Sequence, residues 1–535
     1  MNRTTLSLIA GTTALVAVTG LAALTAPDGS ADDAGGSAQR RPVERSSLLC
    51  PSPGPSDLAE TTYTSFTPGS TGGTAKGSAE LLPAADPSES GGGADDSSGG
   101  KDAGKDGSGD KTADGKGKGR SREKSTDGDK GGAAAGKPVL SGTQPGKPSS
   151  ADASGADRPA LLGSADGAMA PGWTVQQTTQ VAAGDGRGLY GVACSAPDTD
   201  FWFPGASTAD DRTDYVHLTN PDDSAAVADI ELYGKGGAIK SDVGEGIQVG
   251  PHQSVRVLLS TLTDRPETNL TVHVGVRSGR VAAAMRVADA EAGGDWLPAA
   301  GSPERSLVMP GIPKDATAVR LVAFAPGDDD ADLNVKLSSP TGSITPAGHE
   351  TLHVKSGMTA AVDLGPVTRG EAGSLLLTPS DAEGRPVPVV AALRVVRGQG
   401  AHQESAFIPA TAPVGERATA AGNHAKGTTL SLTAPDGPVQ VRITSSAGTG
   451  GGSAVSRTYS VKARTTLAVQ PPVPQGLKGT YAVTVEPVSG GPLYAARTLE
   501  LPEDGIPMFT VQPLADDHGM VQVPKAEQDL SILQK

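Results

Sequence analysis

The feature that most limits how this chain can fold is a pattern that returns three times with a period of about 105 residues. In the first copy Phe203-Pro204-Gly205 leads to VHLTNP, ending at Pro221, and the unit closes with RVAAAMRVADA near Asp289. In the second, Met309-Pro310-Gly311 leads to LVAFAP, ending at Pro326, and closes with VVAALRVVRG at Gly398. A looser third copy has Ala420-Ala421-Gly422, LSLTAP ending at Pro435, and YAARTLEL at Leu501. Each proline turn is followed by a short alternating run: VADIEL, DLNVKL, VQVRI. Apolar residues at every second position mark half-buried strands, and no segment shows the helical period. The expected fold class is all-β: tandem immunoglobulin-like antiparallel β-sandwich domains. A propeller-like closed ring shares these strand cues, but the spacing shows no blade motif, so an array is the expectation.

The pattern places repeat 1 at 200–295, repeat 2 at 296–400 and repeat 3 at 401–505, with a C-terminal strand and tail at 506–535. Two connectors of matching length, WLPAAGSPERSLVMPG from Trp296 and FIPATAPVGERATAAG from Phe407, start with a large apolar residue suited to plugging a junction. Upstream, 46–68 and 171–199 hold strand-like runs such as TTYTSF and WTVQQTTQVA and are expected to form one N-terminal β module. Between them, 69–170 is rich in Gly, Ser, Asp and Lys. With so few aromatic or β-branched residues it offers little to offset the entropy of ordering, so a long disordered insertion is expected, and 32–45 likewise.

Arg3 followed by an uncharged run over 4–27 reads as a signal peptide or an N-terminal anchor within 1–31, and implies export to the cell envelope or beyond. Membrane contact is expected only through 4–27, and only if that segment stays uncleaved. The formal charge of -15 disfavours nucleic acid, which needs a basic face to displace counterions. The two cysteines, Cys50 and Cys194, read as one disulfide in an exported chain. Closing a loop of roughly 145 residues, it is worth up to about 5 kcal/mol on the chain-entropy account.

The stretches CSAPDTDFWFPGAST, VHLTNPDDSAAVADIELYGKGG and GRVAAAMRVADAEAGGDWLPAA resemble a family of exported actinobacterial proteins known only as domain-of-unknown-function family 5719. The resemblance covers 44–400 without the insertion. It implies a multi-strand body outside the membrane, and it brings no activity, substrate or catalytic residue.

One motif points to chemistry. His349-Glu350-Thr351-Leu352-His353 fits HExxH, whose spacing suits zinc because one helical turn brings both imidazoles to the same side. Here Thr345-Pro346-Ala347-Gly348 precedes it and Leu352-His353-Val354 alternates as a strand. On a strand the two histidines stand roughly 13 Å apart, so the match reads as chance and no metal is expected. The acidic turn Asp328-Asp329-Asp330-Ala331-Asp332 offers hard oxygen ligands but lacks a calcium-loop spacing, and reads as a solvated turn. Trp173, Trp202 and Trp296 are read as packing residues, as are Tyr190, Tyr215 and Tyr233. No catalytic residue or cofactor site is nominated. The expected role is a non-enzymatic binding or spacer array for an unknown protein or glycan at the cell surface; the alternative is a carbohydrate-active enzyme or its glycan-binding module.

Overall fold

The computed structural model describes residues 39–69, 76–85, 136–156, 158–184, 186–380 and 385–523. The signal segment and the centre of the insertion, 86–135, lie outside them. The chain is all-β, and its antiparallel sheets fall into two compact units. In the smaller, Gln39–Pro42 pairs antiparallel with Met520–Val523. The larger, 43–519, contains four two-sheet sandwiches.

Each sandwich pairs a four-stranded inner sheet with an outer sheet. In the second, the inner order is Ser254–Leu258, Arg212–Thr219, Ala282–Asp289, Gly293–Leu297; the outer sheet runs Asp200–Ala206, Leu270–Ser278, Ala226–Gly234, with Gly237–Ile239 and Ile247–Val249 both beside the last. The third repeats this with Thr359–Asp363, Ala316–Phe324, Val390–Arg397, Glu404–Pro409 inside, and the fourth with Thr465–Val469, Thr428–Ala434, Tyr494–Glu500, Phe509–Leu514. The alternating residues do what the sequence pattern requires: Phe203, Ile230 and Val272 from one sheet meet Val216, Met285 and Val287 from the other in one core.

The N-terminal module is itself a complete sandwich, and it draws strands from the stretch expected to be disordered. Its inner sheet is Ser149–Ser154, Ala59–Phe66, Thr174–Val181, Gly188–Ala193; its outer sheet is Arg45–Cys50, Leu161–Asp166, Ala79–Pro83, Leu140–Gly142. The insertion expected over 69–170 is therefore corrected: 79–83, 140–142, 149–154 and 161–166 are strands. They were hard to see because they bury small or sparse apolar groups, with Ala151 and Ala153 packing against the core and Ala79, Leu81 and Leu161 inside it. Backbone ladders do much of the ordering, as where Ser149–Ser154 pairs with 60–65. The disordered reading of 32–45 is corrected likewise by Gln39–Pro42 and Arg45–Cys50. Cys50, closing one strand, is bonded to Cys194, just past another, at a separation of 144 residues.

The connectors are corrected too. Trp296 and Phe407 do not open the next domain; they sit in the innermost strands Gly293–Leu297 and Glu404–Pro409 of the second and third sandwiches, which end at 297 and 409 rather than 295 and 400. Phe509–Leu514 is the matching strand of the fourth, which extends past 505. The first sandwich supplies Gly188–Ala193. These four strands pack beside one another in a closed circuit, first to second to third to fourth and back to first. An array was the expectation from the strand spacing; the larger unit is instead four sandwiches closed into a ring.

Aromatic plugs hold the circuit. Phe407 of the third sandwich enters the core of the second, and Phe509 of the fourth enters that of the third. Trp296 of the second packs on Ala59, Val181 and Val192 of the first, while Leu189 of the first meets Leu499 and Met508 of the fourth. Each burial is worth about 1.5–3 kcal/mol. A cation or imidazole covers each ring: Arg286 over Tyr190, Arg212 over Phe407, Arg397 over Phe509, and His217 edge-on to Trp296.

Candidate functional site

Two groups of carboxylates stand out, one at the ring centre and one on an outer sheet. At the centre the strand Gly188–Ala193 is an edge strand, and an edge leaves every second N–H and C=O without a ladder partner. The other three sandwiches supply those partners. Asp295 Oδ1 accepts from Gly191 N at 2.9 Å and from Trp296 N at 2.7 Å. Glu404 Oε1 accepts from Leu189 N at 3.0 Å, while its Oε2 takes Arg187 Nη1 at 3.0 Å. Thr510 Oγ1 donates to Gly191 O at 3.5 Å. The backbones come so close that a Cβ on Gly188 would overlap Gly294 O, and one on Gly294 the Tyr190 hydroxyl.

Both carboxylates are fully buried. Burial pushes Glu404 up to about 8, against the pull of Leu189 N–H and Arg187. It pushes Asp295 well above the usual carboxylate range, against its bond from Gly191. Each of these acids holds a backbone amide of the first sandwich, while Asp295 Oδ2 is buried without a hydrogen-bond partner.

The outer sheet of the second sandwich is different. Its middle strand places His273 directly between Trp202 and Glu231 in register. His273 Nε2 lies 2.5 Å from Asp200 Oδ1 and Nδ1 lies 2.9 Å from Glu231 Oε2. The Trp202 indole stacks on His273 with centroids 4.0 Å apart, and its Nε1 donates to Asp200 Oδ2 at 3.1 Å. Tyr233 donates to Glu231 Oε2 at 2.9 Å. The hydrogen bond from His273 holds Glu231 below its usual range, and burial, then Glu231, pushes Tyr233 up to about 12. Phe324 of the third sandwich covers the far side of Trp202 and contacts Tyr233, with centroids 5.5 and 4.6 Å away. Alongside, Arg277 pairs with Asp229 and Glu245. Asp200 and Glu231 side chains remain 53% and 50% exposed, so each keeps acceptor capacity toward solvent.

The sibling sandwiches act as internal controls. At the register positions of Trp202, His273 and Glu231 the third carries Val308, Leu376 and Lys336, and the fourth carries Thr419, Thr484 and Thr444. Only the second places an acid–imidazole–acid bridge with an indole there. The sequence reading put Trp202 and Tyr233 among packing residues, which their contacts with Phe324 justify, and it missed Asp200, Glu231 and His273. The available signal was the outward positions of aligned repeats: a ring and charges where the second copy has Val308, Leu376 and Lys336.

The structure does not bring HETLH together as a metal site. His349 lies in a turn, its N bonded to Pro346 O, and Glu350 accepts from Gly348 N at 2.9 Å. His353 stands on the strand Thr351–Val354, with Nδ1 2.8 Å from Asp332 and Nε2 3.5 Å from Asp330. In the acidic turn, Asp330 accepts from Ser356 N at 2.8 Å. Among the described residues no group of three or more His, Cys, Asp or Glu is arranged to hold a metal, and no helix is long and apolar enough to cross a membrane.

Residues 149–472 match a protein family described as "Family of unknown function (DUF5719)". That span is more than half of the chain. The chain belongs to this family. The matched span begins with the first sandwich's strand Ser149–Ser154 and reaches past Thr465–Val469 of the fourth. It therefore extends beyond 400, where the sequence resemblance stopped, and takes in most of the ring. No curated protein and no solved structure matches the chain.

Proposed function

We propose that this member of the family is exported and acts at the cell envelope or outside it as a non-enzymatic binding scaffold. The observation that carries the reading is the outer face of the second sandwich. A closed ring of four similar bodies presents one sheet whose Asp200, Glu231 and His273 are arranged unlike their counterparts, with acceptor oxygens turned outward. Export is supported by the buried Cys50–Cys194 bridge, a bond that persists in oxidising compartments. A spacer is less well supported, since reach favours sandwiches in a row and these return on themselves. The carbohydrate-active alternative has less support than binding: Asp295 and Glu404 are fully buried and each holds a backbone amide of the first sandwich, and Trp202 is covered on both faces.

The test is retention of the full chain on envelope glycans and surface proteins of its own cell, compared with a D200N/E231Q double variant. Saturable retention that the variant loses supports the reading. Equal retention by both places the contact elsewhere and overturns the assignment of this face.

A further inference from the structure

One cation in the fourth sandwich has no counter-charge. Five residues before the proline that follows the second inner strand, the cross-strand pair is Val216 with Met285 in the second sandwich and Leu321 with Leu393 in the third. In the fourth it is Leu430 with Arg497. A position that its siblings fill with an apolar side chain holds a guanidinium there, and Arg497 is 0% exposed. Its Nη1 donates to Ala421 O at 2.6 Å and its Nη2 to Gln512 Oε1, both neutral acceptors, and its Nε has no partner. Burial pulls Arg497 down to about 10, so it remains a cation at neutral pH, and no carboxylate among the described residues acts on it. Two titratable groups share its field. Burial pushes the Tyr481 phenol up to about 12, and burial, then Arg497, pushes His424 down, so neither is an anion. A buried charge is normally paired, because the loss of its hydration has nothing else to offset it.

The surroundings add donors rather than acids. Nε and Nη2 belong to one edge of the guanidinium fork, so Nε opens on the side where Gln512 lies. Gln512 Nε2 is itself sealed without an acceptor. Across the seam stands the first sandwich's cross-strand pair, Thr64 with Gln176. Phe66, on the same face of that strand as Thr64, packs with Ala421 and Ala482 of the fourth sandwich. Gly422 fixes the approach: a Cβ there would lie 3.3 Å from Thr64 Oγ1 and 4.0 Å from Arg497 Nη1, so both stand on one side of it. Gln176 Oε1 is sealed without a donor, so this amide too is unsatisfied.

We propose that the seam between the fourth and first sandwiches binds one chloride, held by Arg497 Nε and Gln512 Nε2, with Thr64 and Gln176 closing it from the first sandwich. A single negative charge matches one cation among neutral groups, and a spherical ion of this size suits a place where Arg497 is wholly covered. This site is independent of the outer face of the second sandwich.

The full chain, desalted into sodium gluconate and titrated with sodium chloride or bromide at fixed ionic strength, tests it. Tm is followed, and bromide retained after rapid desalting is counted by elemental analysis. A saturable rise in Tm of about 2–4 °C is expected with either halide. Arg497→Met copies Met285 at the aligned position, and the response should vanish. Gln512→Glu sets a carboxylate against Arg497 and supplies the counter-charge from within. Its Tm in gluconate should reach that of the halide-saturated parent, and the halide response should again be lost. A cooperative thermal transition checks that each variant is folded, and either one alone decides. A parent that shows no Tm response up to about 100 mM halide and retains no bromide overturns the proposal. So does a halide response that persists undiminished in either folded variant.

Discussion

Asp295 and Glu404 at the ring centre and Asp200 and Glu231 on the outer sheet of the second sandwich are the same chemical groups put to opposite uses. The first two are fully buried and bonded to backbone amides of the first sandwich. The second two are half exposed and bonded to side chains within one sheet, at His273, Trp202 and Tyr233. A buried carboxylate is tolerated where it satisfies donors that would otherwise be orphaned, and removing it leaves them unpaired. An exposed carboxylate does little for folding and is free to meet a partner. The contrast separates residues that hold the ring from residues available for recognition.

The largest effect should come from Glu404→Ala, which leaves the buried Leu189 amide without its acceptor and removes the ion pair with the part-buried Arg187. A loss of about 3–5 kcal/mol in urea unfolding is expected; a cost no larger than that of a surface substitution would break the comparison. Trp296→Ala removes the plug between second and first sandwiches and should cost about 3–5 kcal/mol by the same measurement, the lower end applying if the seam collapses.

Next in size is a pH effect. Glu404 is raised in the folded state to about 8, above its ordinary value, and Asp295 is raised in the same direction. Stability from a raised carboxylate is fully present below the ordinary carboxylate range and is lost as pH rises through the folded value. Unfolding free energy should therefore decline between pH 5 and 8, measured by urea denaturation at several pH values. Glu404→Gln, which cannot ionise yet keeps an acceptor for Leu189, should flatten that slope; an unchanged slope would assign it to other groups. The smallest stability effect belongs to D200N/E231Q, expected within about 1 kcal/mol of the parent. A cost near that of Glu404→Ala would mean that the outer acids are structural too.

Much of this architecture was legible because alternation is local. The runs VHLTNP, LVAFAP and LSLTAP became the strands whose register aligns the sandwiches, and Leu352-His353-Val354 became the strand that spoils HETLH. What was not legible depends on partners far along the chain. Ser149–Ser154, read in isolation, is a polar SSADAS with little reason to be a strand; its order comes from the ladder with 60–65. The ring itself rests on contacts such as Leu189 with Glu404, 215 residues apart, and no periodicity announces them. The outer site joins His273 to Asp200 and Glu231 across 73 and 42 residues, and shows in the sequence only when outward positions of the repeats are set side by side.

The Cys50–Cys194 bond has one more consequence. Strands of the first sandwich lie on both sides of 86–135, and the bond encloses that whole stretch. A single protease cut anywhere between 51 and 193 therefore severs the backbone without releasing a piece. The two products stay covalently joined, run as one species on a non-reducing gel, and part only when a thiol is added.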